Sequence, residues 1–130
     1  MIIKFKHALA LSLNKYIRMN PFARARLQAQ VNEDVGWEIR VWLNQHKLFG
    51  PVPQYPKARI KYTIHGPERW EMDAENEVAI SKVITDAIKY TGIVPDDKKK
   101  YVGRPEICFV PDEGRYVDVE IEVIDSEGGM

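Results

Sequence analysis

Lys57-Ala58-Arg59-Ile60-Lys61-Tyr62-Thr63-Ile64-His65 is the stretch that decides the fold. Ala58, Ile60, Tyr62 and Ile64 alternate with Lys57, Arg59, Lys61 and Thr63. A period of two marks a strand that is buried on one face only. Gly66-Pro67 ends it. Downstream, Ile80, Val83, Ile84, Ala87 and Ile88 recur at helical spacing, which predicts a helix over 76–90 closed by Thr91-Gly92. Upstream, residues 2–7 set Ile3 and Phe5 against Lys4 and Lys6, a second half-buried strand.

Residues 8–20 show no period. Asn20-Pro21 then has the form of a helix start, with Asn as the cap and Pro at the first helical position. From there to about His46, Leu27, Val31, Val35, Ile39 and Leu43 recur at intervals of four, which predicts a long amphipathic helix. Trp37, Val41 and Trp42 widen its apolar surface, either as more core or as a dimer contact. Gly50-Pro51-Val52-Pro53 breaks the chain. Glu106–Val110 and Tyr116–Ile124 flank Pro111-Asp112-Glu113-Gly114-Arg115 and read as a β-hairpin. In it Val117, Val119, Ile121 and Val123 face inward, and Asp118, Glu120 and Glu122 face outward. Residues 126–130 read as a frayed tail. The order β-α-β-α-β-β in a single domain, 1–130, predicts an α+β fold: a small mixed sheet packed with two main helices.

A chain of 130 residues can fold as one domain without a disulfide or metal. The one cysteine, Cys108, excludes a disulfide framework and fits a reducing compartment. Its mid-strand position reads as a small buried hydrophobe. The chain opens directly on a strand pattern, with no signal peptide, and no apolar run is long enough to span a membrane. A cytoplasmic location is therefore expected. His7, His46 and His65 lack metal-ligand spacing, and no glycine-rich phosphate loop occurs. The net charge of zero disfavours indiscriminate nucleic-acid binding, but the distribution of charge matters more than its sum. Lys57, Arg59 and Lys61 could follow a phosphate backbone. The favoured reading pairs them with Asp118, Glu120 and Glu122 across neighbouring strands.

The segment with chemical interest is Arg69-Trp70-Glu71-Met72-Asp73-Ala74-Glu75-Asn76, where a strand ends and a helix begins. Carboxylates there can simply complement the helix dipole and cap free N–H groups. Asp96-Asp97, beyond the same helix, can be turn chemistry. Alternatively, these hard oxygen ligands converge on Mg²⁺, which activates water and stabilises the charge that develops on a phosphodiester.

Asp73-Ala74-Glu75-Asn76 opening a helix, Lys82 within it, and Asp96-Asp97 beyond it resemble the signature of the RusA-type Holliday junction resolvases of bacteria and their phages. Leu11-Ser12-Leu13-Asn14-Lys15-Tyr16 is similar to that family's asparagine-rich loop, which follows the first strand and precedes a long helix. The resemblance covers nearly the whole chain. Glu75 stands where the family has Asp, and the helix after Asn76 is about three residues longer than usual, so Ala79 competes with Lys82 for the lysine position.

The resemblance implies a homodimeric endodeoxyribonuclease in the cytoplasm of a bacterium or a phage-infected cell. It would resolve four-way DNA junctions by paired symmetric nicks, leaving 5′-phosphate and 3′-hydroxyl ends. Asp73, Glu75 and Asp97 would hold Mg²⁺, with Mn²⁺ able to substitute, and Lys82 would stabilise the phosphate. Lys82 lies almost two turns from Glu75, roughly 10 Å along the axis on the same face; an ion pair with Asp86 is its plainer role. Asn14, Lys15, Tyr16 and Arg18, together with Lys98 and Lys99, would contact DNA. Asp97 must either return along the helix, over roughly 23 Å if residues 91–97 are extended, or come from a partner subunit. Two other readings remain: a junction-binding protein that has lost catalysis, and a small Mg²⁺-dependent nucleotide phosphohydrolase, an enzyme type that is often all-helical.

Overall fold

The computed structural model describes residues 1–8, 20–67, 74–94 and 103–124, and the side chains among these except those of 74–77. The elements follow in the expected order: β1 (Ile2–Ala8), α1 (Pro21–Gln45), β2 (Lys57–Gly66), α2 (Ala74–Tyr90), β3 (Glu106–Pro111) and β4 (Tyr116–Ile124). Asn20 caps α1 as its sequence implies, its Oδ1 accepting from Ala23 N–H at 2.9 Å, with Pro21 next. Gly92, at φ +84°, ends α2 in the left-handed conformation that glycine adopts without steric cost.

The four strands form one mixed sheet in the order β1-β4-β2-β3. β4 runs antiparallel to β1 and to β2, whereas β2 and β3 are parallel. The hairpin expected from 106–124 is therefore not formed. β3 and β4 flank β2 on opposite sides, and Asp112–Arg115 cross over its end. The hop covers two strand spacings, roughly 10 Å, which a linker of hairpin length can reach.

The inner face of the sheet carries Ile3, Ala58, Ile60, Tyr62, Ile64, Val117, Val119, Ile121 and Val123, all buried. Val31, Val35, Ile39 and Leu43 of α1 and Ile80, Ile84, Ala87 and Ile88 of α2 complete the core. Trp42 packs against it and stacks on His46, while Trp37 and Val41 are 70% and 40% exposed on α1. Gln28 joins the helices: its Nε2 donates to Val83 O at 3.0 Å and to Asn32 Oδ1 at 2.8 Å.

The outer face is polar. Register puts Lys4, Glu120, Lys61 and Glu106 in one row, and Arg59 beside Glu122 in the next. The basic side of β2 thus faces the acidic side of β4. Cys108, expected in the core, lies exposed on this face. Its strand neighbours Ile107 and Phe109 take the inward positions.

Tyr62 brings a hydroxyl into the core, and that hydroxyl bonds Thr85 Oγ1. Burial pushes the Tyr62 phenol well above its ordinary pKa. Thr85→Val would leave that hydroxyl buried without a partner, at a cost of about 1–3 kcal/mol. Tyr62→Phe costs less, about 1 kcal/mol, because the freed Thr85 hydroxyl can turn to a carbonyl of its own helix. Urea unfolding of the two variants at pH 7 checks this order.

Candidate functional site

β1, β2 and β3 are mutually parallel, with β4 running against them. Ala8, Gly66 and Pro111, their last residues, therefore lie at one end of the sheet. α2 runs opposite to β2. The Tyr62 hydroxyl meets Thr85, and further back along β2 the Tyr55 N–H donates to Ile93 O at 2.8 Å, further forward along the α2 chain. The start of α2 is therefore on the side of Gly66. The chain toward Asn14, Lys15, Tyr16 and Arg18 leaves this end from Ala8, and the chain toward Asp73 leaves it from Gly66.

Glu75 is the second residue of α2, and Lys82 lies further along the same helix. Lys82 is exposed, and no ion pair joins it to Asp86 among the described residues. Asp73, Asp97, Asn14, Lys15, Tyr16, Arg18, Lys98 and Lys99 lie outside the described residues, as does the Glu75 carboxylate. Among the described residues, no group of three or more His, Cys, Asp or Glu side chains could hold a metal. The proposed carboxylate trio is not part of that set.

The far end of α2 is firmly placed. Gln54 Nε2 donates to Gly92 O at 3.2 Å, beside the Tyr55–Ile93 bond. From the level of Tyr62 and Thr85, Ala74 is about 17 Å away along the helix. The first residue of β2 is about 16 Å away in the other direction. Ile93, bonded just before β2, is thus roughly 25–30 Å from Ala74. Residues 91–93 run away from the start of α2 rather than back along it.

A cluster that sequence reasoning passed over sits on the outer face at the end of β2. His65 Nε2 is 2.8 Å from Asp118 Oδ2, and Nδ1 is 3.4 Å from Asp112 Oδ2. The imidazole stacks on Tyr116, centroids 4.3 Å apart, and Lys6 Nζ lies 5.0 Å from the centre of the Tyr116 ring. Asp112 accepts from Gly114 N–H and from the Tyr116 hydroxyl, each at 3.0 Å, and its own N–H donates to Gly66 O at 2.7 Å. These bonds, from Gly114 first and then Tyr116, hold the Asp112 carboxyl below the usual carboxylate range; the same Asp112 bond raises the Tyr116 phenol. The sequence signal available was Asp112-Glu113-Gly114, an Asx-turn pattern.

A buried histidine lies on the inner face: His7 Nδ1 is 3.5 Å from Glu38 Oε1 of α1. No protein-family model matches the chain, and no curated protein matches it.

Asp112 has its folded pKa depressed, so its stabilisation is present above the unfolded value, about 3.9, and is lost as pH falls through that region. Asp112→Asn should lower the thermal midpoint at pH 7. The gap to wild type should narrow as pH falls below that unfolded value, as followed by circular dichroism melts.

Proposed function

We propose that this chain is the subunit of a homodimeric, Mg²⁺-dependent endodeoxyribonuclease that resolves four-way DNA junctions by paired symmetric nicks. The observation that carries this reading is the shared end of the sheet. The segment with the DNA-contacting candidates and the segment with Asp73 both depart from it, and α2 begins on that side. Binding and cleavage groups would then face one substrate.

Asp73, Glu75 and Asp97 offer three hard carboxylates, the donor set Mg²⁺ takes alongside water and phosphate oxygens. When bound, the metal supplies an activated water and charge stabilisation at the scissile phosphate. Lys82, exposed on α2 and leaning toward its N-terminus as helical side chains do, would hold the phosphate. Glu75 in place of Asp adds about one methylene of reach, which alters the metal geometry without removing a ligand. Asn14, Lys15, Tyr16 and Arg18 would grip the junction arms, with Tyr16 stacking on an unpaired base. Lys98 and Lys99 would hold the scissile strand beside Asp97.

Asp97 is only four residues beyond Ile93, a reach of about 14 Å. The separation between Ile93 and Ala74 is roughly twice that. This supports a site in which Asp97 comes from the second subunit. A two-fold dimer suits a four-way junction, and exposed Trp37 and Val41 offer apolar area for the contact. The reading sets the protein in the cytoplasm of a bacterium or a phage-infected cell. No helix among the described residues is long and apolar enough to cross a membrane.

Asp73→Asn and Asp97→Asn should each abolish Mg²⁺-dependent nicking of a synthetic mobile junction. After subunit exchange, the mixed variants should recover about a quarter of wild-type nicking, as single nicks, because a heterodimer keeps one complete site. Mixtures that stay inactive would place Asp97 in its own chain. Wild-type protein that nicks no better than Asp73→Asn would end the nuclease reading.

A further inference from the structure

His65 sits between two carboxylates, and its side chain is only 12% exposed. Nε2 is at hydrogen-bond distance from Asp118, whereas Nδ1 is buried and without a hydrogen-bond partner, 3.4 Å from Asp112. A neutral imidazole carries one N–H and one lone pair. With the proton on Nε2, the Nδ1 lone pair lies 3.4 Å from the Asp112 carboxylate. With the proton on Nδ1, the Nε2 lone pair faces Asp118 at 2.8 Å. Only the doubly protonated ring donates to both neighbours.

Asp112 is also the hub of the crossing, since it gathers Gly114, Tyr116 and the end of β2 at Gly66. We propose that His65 is a proton-operated clasp: as an imidazolium it bridges Asp112 and Asp118 and locks the 112–115 crossing onto β2, and as a neutral ring it lets Asp112 go. The surrounding charges support the locked form. β4 presents Asp118 and the stacked Tyr116, and the crossing presents Asp112 with exposed Glu113 and Arg115. β1 contributes Lys6, which opposes the imidazolium from beyond the Tyr116 ring, and β3 places uncharged Val110 alongside His65. Two carboxylates in direct contact outweigh one ammonium on the far side of an aromatic ring. Release of the clasp loosens the end of the sheet at Gly66.

The test is a ¹⁵N titration of the His65 ring in the full chain from pH 5 to 8.5, with amide exchange followed at Asp112 and Gly114. As the ring loses its second proton, exchange at Gly114 corrected for intrinsic chemistry should quicken about tenfold. His65→Gln keeps a neutral donor toward Asp118 and should show no such step. A ring that stays neutral across the whole range, or corrected exchange that does not follow its titration, would overturn the clasp. The wild-type titration decides alone if the glutamine variant does not fold.

Discussion

Backbone groups along β2 point to both sides in a place where water cannot satisfy them, so the strand must have a hydrogen-bonded neighbour on each edge. Its inward residues Ala58, Ile60, Tyr62 and Ile64 are each less than 5% exposed, which makes it the strand most in need of cover. β4 supplies one edge over nine residue pairs and β3 the other over six. Because these two strands are consecutive in the chain, the linker between them must pass over the end of β2. The His65–Asp112 cluster is the local chemistry of that passage, a turn tied down at its base by Gly66 and at its flank by the hydroxyl of Tyr116.

The helices answer a related demand on the inner face. α1 covers it with the stripe Val31, Val35, Ile39 and Leu43, and α2 with Ile80, Ile84, Ala87 and Ile88. Gln28 ties the two together through a backbone carbonyl of α2, so their spacing is set by a directional bond as well as by packing. Among the described residues no helix covers the outer face, and its strands neutralise one another sideways.

Much of this was legible along the chain. Period-two and period-four patterns located β1, β2, β4 and both helices, β3 was located as the segment before the 111–115 turn, and Asn20-Pro21 and Thr91-Gly92 marked helix ends. The hairpin was misread because a linker of this length serves a two-strand turn and a hop over one strand equally well. Which occurs depends on burial of a strand some fifty residues earlier. Cys108 was misread although its neighbours Ile107 and Phe109 already held the inward parity. His65 looked like an ordinary outward residue, since its carboxylates lie 47 and 53 positions away in sequence. The carboxylate pattern at Asp73, Glu75 and Asp97 came from residue order and spacing, and apart from the backbone of Glu75 those positions are outside the described residues. What the fold adds is the direction of each strand, and hence the shared departure of the two candidate segments.

The row Lys4, Glu120, Lys61, Glu106 alternates in sign across all four strands. Such a checkerboard produces a potential that cancels within a few ångströms, so a polyanion drifting past this broad surface feels little pull toward it. A protein of zero net charge can in this way carry many charges on one broad face and still project almost no field from it.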